Sequence, residues 1–345
     1  MKKIFLTVII LLILIPINVF AFNDTSKSSV VMDIDSGRIL YQKNMNERRL
    51  IASITKIMTA TIALEKGNLN DVYKAGNEIL EMYGTNIYLE LNEEMKLKDL
   101  LYGLILRSGN DASVVIANNI SNTEKEFVEL MNNKAKSIGM NNTIFNNSHG
   151  LDEKTKNYST AHDMAILSSY IYKKSKTYRK ITSTYKYELQ SNNKSYLWYN
   201  RNKFLKMYKY STGGKTGYTP SAGKTLVSTA EKDNLRLTAV TLKDPNHYQN
   251  HINIYNYIFD KYKNYLILDK NNFSLDLFIK DKAYIKKSFR YPLTEDEKEK
   301  IKTIVKINKL SSYKDKQKIG NIEVYLDNEI IGNVSIYVKK NKKEK

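Results

Sequence analysis

Three short groups of residues carry nearly all the chemistry this chain offers: Ser53-Ile54-Thr55-Lys56, Ser108-Gly109-Asn110 and Lys215-Thr216-Gly217. Ser53 and Lys56 stand three residues apart, and on a helix that spacing puts both on one face within hydrogen-bonding reach. A serine hydroxyl is a weak nucleophile until a base removes its proton. A lysine serves as that base only when neutral, and burial or a second cation nearby lowers its pKa toward that state. The helix is expected to open at Ser53, which would set free N–H groups and the positive end of the dipole at the nucleophile. Ser108-Gly109-Asn110-Asp111 is turn composition between two helical patterns. A hydroxyl and a carboxamide projecting from such a turn suit the relay of a proton and the holding of a substrate amide. In Gly213-Gly214-Lys215-Thr216-Gly217-Tyr218-Thr219 the glycines permit close approach of a ligand to the backbone. Lys215 and Thr216 there offer a charge and a hydroxyl to a carboxylate.

Taken singly, the three groups are weak signals. Ser-x-x-Lys recurs at Ser183, Ser191, Ser221 and Ser311, and Ser-x-Asn recurs at Ser191, whereas Lys-Thr-Gly occurs once. An ordinary helix cap, a turn and a glycine-rich strand entry would explain each alone. Their order and setting carry the weight.

The elements that must position them follow from periodicity and turn chemistry. Val30–Ile34 and Arg38–Tyr41 are extended runs about Asp35-Ser36-Gly37, which predicts a hairpin. A helix is predicted over Ser53–Lys66, with Ile54, Ile57, Met58 and Ala60 apolar and Gly67 as its stop. Further helical patterns cover Leu97–Leu106, Ala112–Ile120, Glu124–Ser137 and Thr160–Lys174. Strands return at Ala222–Thr229 and Leu235–Leu242, linked at Glu231–Asn234, before a last helix over His247–Tyr262. Strands at both ends of a helical middle fit an antiparallel sheet with helices on its faces, an α+β fold. After Tyr265 the pattern changes: Phe273–Ile279 and Ala283–Phe289 read as strands, and Ile322, Val324 and Leu326, then Val334, Ile336 and Val338, alternate with polar residues about Asp327-Asn328. Residues 266–345 are therefore expected to form a small, mostly β domain after a larger one at 22–265.

The chain of 345 residues has room for two such cores. It contains no cysteine, which excludes disulfides, cysteine nucleophiles, thiolate zinc sites and a lipid-modified cysteine. His149, His162, His247 and His251 are too scattered for a metal site; His247 and His251 share a helix face but lack a third ligand and read as exposed polar residues. No metal or cofactor is expected. Lys2 and Lys3 precede an apolar run, Ile4–Phe20, broken by Pro16 and Asn18, and Val19 and Ala21 then present small side chains. Residues 1–21 read as a secretory signal cut after Ala21, with an uncleaved anchor as the alternative. The net charge of +19 favours an anionic partner. Losing Lys2 and Lys3 from 55 basic residues against 36 acidic ones leaves +17, and Lys339, Lys340, Lys342, Lys343 and Lys345 close the chain. Export argues against nucleic acid and leaves an anionic wall polymer or lipid surface, where a secreted or wall-associated protein would be held by charge.

Together the three groups resemble the serine nucleophile, Ser-Asp-Asn and Lys-Thr-Gly set of penicillin-binding proteins and class A β-lactamases. The closer resemblance is to low-molecular-mass D-alanyl-D-alanine carboxypeptidases, serine peptidases of the S11 type. Ile51-Ala52-Ser53-Ile54-Thr55-Lys56-Ile57-Met58-Thr59 is similar to that family's Pro-Ala-Ser-x-Thr-Lys-Ile-Met-Thr block, and Ser108–Ala112 to its Ser-Gly-Asn-Asp-Ala block. His149-Gly150-Leu151 and Ser159-Thr160-Ala161 resemble further blocks. The likeness runs from Val30 to Phe259, and the small β domain looks like the family's C-terminal domain.

The resemblance implies a β-lactamase/transpeptidase-like catalytic domain that removes the terminal D-alanine from peptidoglycan stem peptides and is acylated by β-lactam antibiotics. It implies Ser53 as nucleophile, Lys56 as base and Ser108 as proton relay. Asn110 would bind the peptide amide, Lys215, Thr216 and Gly217 the end of the substrate, and the N–H groups of Ser53 and Tyr218 an oxyanion. Two positions depart from the family pattern. Ile51 replaces proline, and Asn246–His251 holds no arginine of the kind that assists the carboxylate, so carboxylate binding is expected to lean on Lys215 and Thr216. A β-lactamase is the nearest rival, but Glu90-Leu91-Asn92 precedes the Ser-x-Asn group where a class A base loop would follow it. A transpeptidase or endopeptidase on the same scaffold, and a basic wall-binding protein without activity, are the other rivals.

Overall fold

Period-two alternation lets one strand bury side chains on both of its faces, and the strand that opens the fold does so. In Ser28–Asp33 (β1), Val30 and Met32 enter one apolar core while Val31 enters another on the opposite side. The computed structural model describes residues 23–191, 194–273, 275, 282–308 and 314–339. β1 pairs with Ile39–Lys43 (β2) on one side and, across most of the sequence, with Leu235–Leu242 on the other, Ser28 facing Leu242 and Asp33 facing Leu237. With Ser211–Thr219 as β3, Gly223–Lys232 as β4 and Leu235–Leu242 as β5, the five-stranded sheet has the order β2-β1-β5-β4-β3. The pairings within it are antiparallel.

Helices cover both faces. On one, the helix His247–Lys261 sets Ile254, Tyr255 and Ile258 against Val31, Leu237 and Ala239. On the other, Ala161–Lys174 packs with Lys56–Lys66, Asn110–Ser121 and Glu124–Ser137 around Ile57, Met58, Leu104, Val115, Phe127 and Leu167. This is the expected α+β arrangement. None of the described helices is long and apolar enough to cross a membrane.

The structure departs from the expected elements at places that matter for the site. The helix expected from Ser53 opens as a tight 3₁₀ turn, Ala52–Thr55, and becomes α-helical at Lys56. The helix expected over Leu97–Leu106 is α-helical to Tyr102 and then widens into a π turn, Gly103–Arg107, ending on Ser108 at φ 64°. The glycine-rich stretch around Lys215 is a full strand, β3, at the edge of the sheet. Three small two-stranded antiparallel pairings were not anticipated: Arg49–Leu50 with Tyr158–Ser159, Val72–Lys74 with Glu94–Lys96, and the hairpin Lys186–Ser191 with Lys194–Tyr199. The β4–β5 turn falls at Asp233-Asn234, both at positive φ, the conformation a two-residue hairpin needs.

Beyond the helix His247–Lys261, Lys263–Leu268 (β6) pairs with Phe289–Leu293. A four-stranded antiparallel sheet follows. With Lys282–Ile285 as β7, Phe289–Leu293 as β8, Ile301–Ile307 as β9, Lys318–Leu326 as β10 and Glu329–Lys339 as β11, its order is β7-β11-β10-β9. The expected strand over Ala283–Phe289 is thus interrupted and split between β7 and β8, whereas Asp327-Asn328 does join two strands. Arg38 ties the two parts together: it donates to the Pro292 carbonyl and to Glu297, and lies over the Tyr262 and Tyr291 rings. The expected signal at 1–21, most of the strand expected over Phe273–Ile279, and Lys340, Lys342, Lys343 and Lys345 lie outside the described residues.

Candidate active site

Two glycines let the backbone close around Ser53. A β-carbon on Gly150, which sits at φ +89°, would lie 2.1 Å from the Ala52 carbonyl oxygen, and one on Gly217 would lie 2.9 Å from the Ser53 nitrogen. Ala52 itself adopts φ 49°, a left-handed conformation rare for residues other than glycine. Ser53 therefore stands on a crowded, tightly held turn between the Gly150 loop and the edge strand β3.

Lys56 lies behind it, with no exposed surface. Its Nζ is 3.4 Å from Ser53 Oγ, 2.7 Å from Asn110 Oδ1 and 2.5 Å from the His149 carbonyl oxygen. A neutral amine has two N–H bonds and one lone pair. Here two neighbours are pure acceptors, and the third, the Ser53 hydroxyl, is able to donate. The surroundings of Lys56 thus match an uncharged amine whose lone pair faces the Ser53 hydroxyl. Its pKa is held well below the ordinary lysine range, first by burial and then by the charge of Lys215, with Asp111 opposing.

Each group around Lys56 is itself held. Asn110 donates through Nδ2 to the Tyr83 carbonyl at 2.7 Å. Asp111 accepts from the backbone N–H groups of Ile87, Leu89 and Ala112, which fixes residues 85–89 over the start of the helix Asn110–Ser121. The Ser148 carbonyl accepts from Thr59 and Ser113, so the loop that presents the His149 carbonyl is anchored on two helices. The His149 ring accepts from the Leu151 N–H, and its pKa is held down at about 3, chiefly by burial and then by Lys56 whenever that amine is protonated, so it stays neutral.

Ser108 and Lys215 form the second half of the site. The left-handed backbone at the end of the π turn swings Ser108 toward β3, where Lys215 Nζ donates to Ser108 Oγ at 3.0 Å and to the Thr216 carbonyl at 2.6 Å. Lys215 is 2% exposed. Burial, followed by repulsion from Arg201, lowers its pKa to about 7. Thr216 is half-buried and Tyr218 is 63% exposed, as alternation along an edge strand requires. The free edge of β3 carries no second strand among the described residues, so its backbone is open to an extended ligand.

The residues singled out in the sequence thus lie together: Ser53 with Lys56, Lys56 with Asn110, Ser108 with Lys215, and Gly217 against the Ser53 turn. Sequence reasoning missed two participants. The His149 carbonyl is a backbone group, which no side-chain pattern signals. Arg201 lies at the cleft, donating to Thr85 Oγ1 at 3.0 Å while its N–H reaches the Leu106 carbonyl. Its charge acts on the buried Lys215 amine. His251 is also not the exposed residue expected. It is fully buried between Ser228 Oγ (2.7 Å) and Thr241 Oγ1 (3.0 Å), because the face it shares with half-buried His247 packs onto the sheet.

The model of the family described as D-alanyl-D-alanine carboxypeptidase matches residues 19–246, and that of the penicillin-binding protein 5 C-terminal domain matches residues 274–344. D-alanyl-D-alanine carboxypeptidase DacF of Bacillus subtilis is 43% identical over 221 residues, 62% of this chain and 56% of that protein. DacA of Haemophilus influenzae is 35% identical over 237 residues, 64% of this chain and 58% of that one. The matched length is thus less than two thirds of each of these curated relatives. Among solved structures, penicillin-binding protein 5 of Haemophilus influenzae superposes with a TM-score of 0.76 at 27% identity, covering 94% of this chain and 99% of that one. Penicillin-binding protein 6B of Escherichia coli does so with 0.73 at 26% identity, covering 93% and 98%.

Proposed function

Because the chain belongs to the D-alanyl-D-alanine carboxypeptidase family, we propose that it is an exported serine carboxypeptidase that removes the terminal D-alanine from peptidoglycan stem peptides. The observation that carries this reading is the buried Lys56 amine, whose two acceptor neighbours leave its lone pair for Ser53. The stem peptide lies extended along β3, its terminal carboxylate at Lys215, Thr216 and Arg201 and its amide at Asn110. Ser53 Oγ attacks the carbonyl carbon between the two D-alanines as Lys56 takes the hydroxyl proton. The N–H groups of Ser53 and Tyr218 receive the oxyanion, a contribution of about a few kcal/mol in such sites. The C–N bond then breaks as Ser108 gives its hydroxyl proton to the departing amine and takes in its place the proton that Lys56 holds, so D-alanine leaves and Lys56 is neutral again. A water attacks the ester as Lys56 takes its proton, the bond to Ser53 Oγ breaks, and Lys56 returns that proton to Oγ, restoring Ser53. A β-lactam enters by the first half of this route and stays as an ester on Ser53.

The proposal extends to the whole chain. Residues 1–21 direct export, 22–265 form the catalytic domain and 266–345 the small β domain, and the charge of +17 left once Lys2 and Lys3 are removed supports association with an anionic wall or membrane surface outside the cytoplasm.

The test is D-alanine release from a peptide ending in D-Ala-D-Ala, followed against pH. Lys56 must be neutral to accept a proton, so the rate rises with pH as Lys56 loses its own. Lys215 must be charged to hold the carboxylate, and in the free enzyme it loses that charge as pH rises through about 7. The expected kcat/KM profile falls above about 7, while the limb in kcat lies higher because a bound carboxylate favours the charged lysine. A kcat/KM that stays flat from about pH 6 to 9, or a peptide left uncut, contradicts the proposal.

A further inference from the structure

The four-stranded C-terminal sheet has one apolar face and one of unusual charge. Ala283, Ile285, Ile319, Ile336 and Val338 are buried on the first. The strand register places Lys282 opposite Lys339, Tyr284 opposite Tyr337, Lys318 opposite Tyr337, Lys306 opposite Asn321 and Lys302 opposite Tyr325 on the second. Lys286, one residue beyond β7, lies on the same side, its Nζ 3.7 Å from the centre of the Tyr337 ring. Six lysines thus share this face, and among its described paired positions Glu323 is the one acidic residue. Glu323 is already held by Lys306 and Tyr325. Lys282, Lys302, Lys318 and Lys339 meet no carboxylate within ion-pair distance among the described residues. Like charges set directly opposite in neighbouring strands, as Lys282 and Lys339 are, weaken a sheet, so the pattern suits something outside the fold.

We propose that this face is a docking surface for a bilayer rich in anionic lipid headgroups. The proposal rests on the reading of the chain as associated with an anionic surface, and not on its catalytic activity. The lysines are not drawn up along one line, as a linear polyanion would require. They spread over four strands, about 14 Å across and about 25 Å along them, an area that matches a flat charged plane. Tyr284, Tyr325 and Tyr337 stand between them, and Ile304, 47% exposed, joins the same face. Tyrosine among cations is the composition of a headgroup interface. Lys339 ends β11 at the border of this face.

Co-sedimentation of the full-length chain with vesicles tests the proposal, read as the ratio of partition into phosphatidylglycerol-containing over purely phosphatidylcholine vesicles, so that any apolar contribution common to both cancels. The ratio is expected to be large at low salt and to collapse when salt is raised. The triple variant Lys282→Gln/Lys318→Gln/Lys339→Gln is expected to lower it about a hundredfold, three lysines each contributing about a factor of five near an anionic surface. D-alanine release should stay unchanged in that variant. Its fold is expected to survive, since the substitution removes a like-charge pair, and an unaltered melting temperature would verify this. A variant that partitions like the parent overturns the sheet face as the docking surface, even if the chain still prefers anionic vesicles. So does loss of the preference on deleting residues 340–345 alone, or binding of soluble polyphosphate with no preference among vesicles.

Discussion

Exchanging Lys56 for alanine or arginine is expected to slow acylation of Ser53 by about 10³-fold or more, the scale of a lost general base acting on a nucleophile that needs one. Alanine removes the amine. Arginine keeps a cation in the same place but stays charged, so it has no lone pair to offer Ser53. The fold should tolerate the alanine, because a fully desolvated amine is removed along with its two hydrogen bonds to Asn110 and His149. The rate of covalent labelling by penicillin, with the melting temperature as a control, reads the effect. Near-normal labelling of Lys56→Arg would mean that proton removal does not run through this side chain.

Lys215→Met is expected to move activity and stability in opposite directions. Without the ammonium the substrate carboxylate loses its buried partner, and kcat/KM should drop by about 10²-fold or more. Stability should rise. The Lys215 pKa is about 7 in the native protein, against about 10.4 in an unfolded chain. Between those values the unfolded chain holds a proton the native state has released, so native stability climbs with pH across that window. The burden is fully present below about 7 and is relieved above about 10.4. It amounts to roughly 4 kcal/mol before subtracting the hydrogen bonds lost to Ser108 and Thr216. Thermal unfolding at neutral and alkaline pH should show a higher Tm for the variant at pH 7 and a gap that closes toward pH 10 or above. A variant equally stable at both would show that Lys215 is not strained by its burial.

Much of this arrangement was legible before any coordinates, and the reasons are specific. Ser53, Lys56, Ser108, Asn110 and Lys215 are side chains whose types announce chemistry, and the helices that carry Lys56 and Asn110 have clear apolar residues, such as Ile57, Met58 and Ala60 on the first. The ends of the main sheet were readable because β1, β4 and β5 are rich in β-branched residues. β3 was not, since its glycines weaken any strand signal; they are present because the Ser53 turn and β4 press against it. The 3₁₀ turn at Ala52–Thr55 was hidden for a related reason: the crowding by Gly150 that accompanies it comes from a segment nearly a hundred residues away. Arg201 stands among ordinary-looking polar residues after a short hairpin, and only the packing of that hairpin brings it to Thr85 and the cleft. A histidine pair without a third ligand reads as solvent-facing, whereas the helix face that His251 shares with Ile254, Tyr255 and Ile258 is the one that packs on the sheet.

The most direct measurement is the mass of the protein and of its peptides after brief exposure to penicillin. A single adduct on the peptide containing Ser53, absent from Ser53→Ala and retained for minutes rather than lost at once, is the result that this geometry predicts. An adduct that persists in Ser53→Ala, or none in the unaltered chain, would contradict the assignment of Ser53 as the nucleophile and with it the acyl-enzyme route.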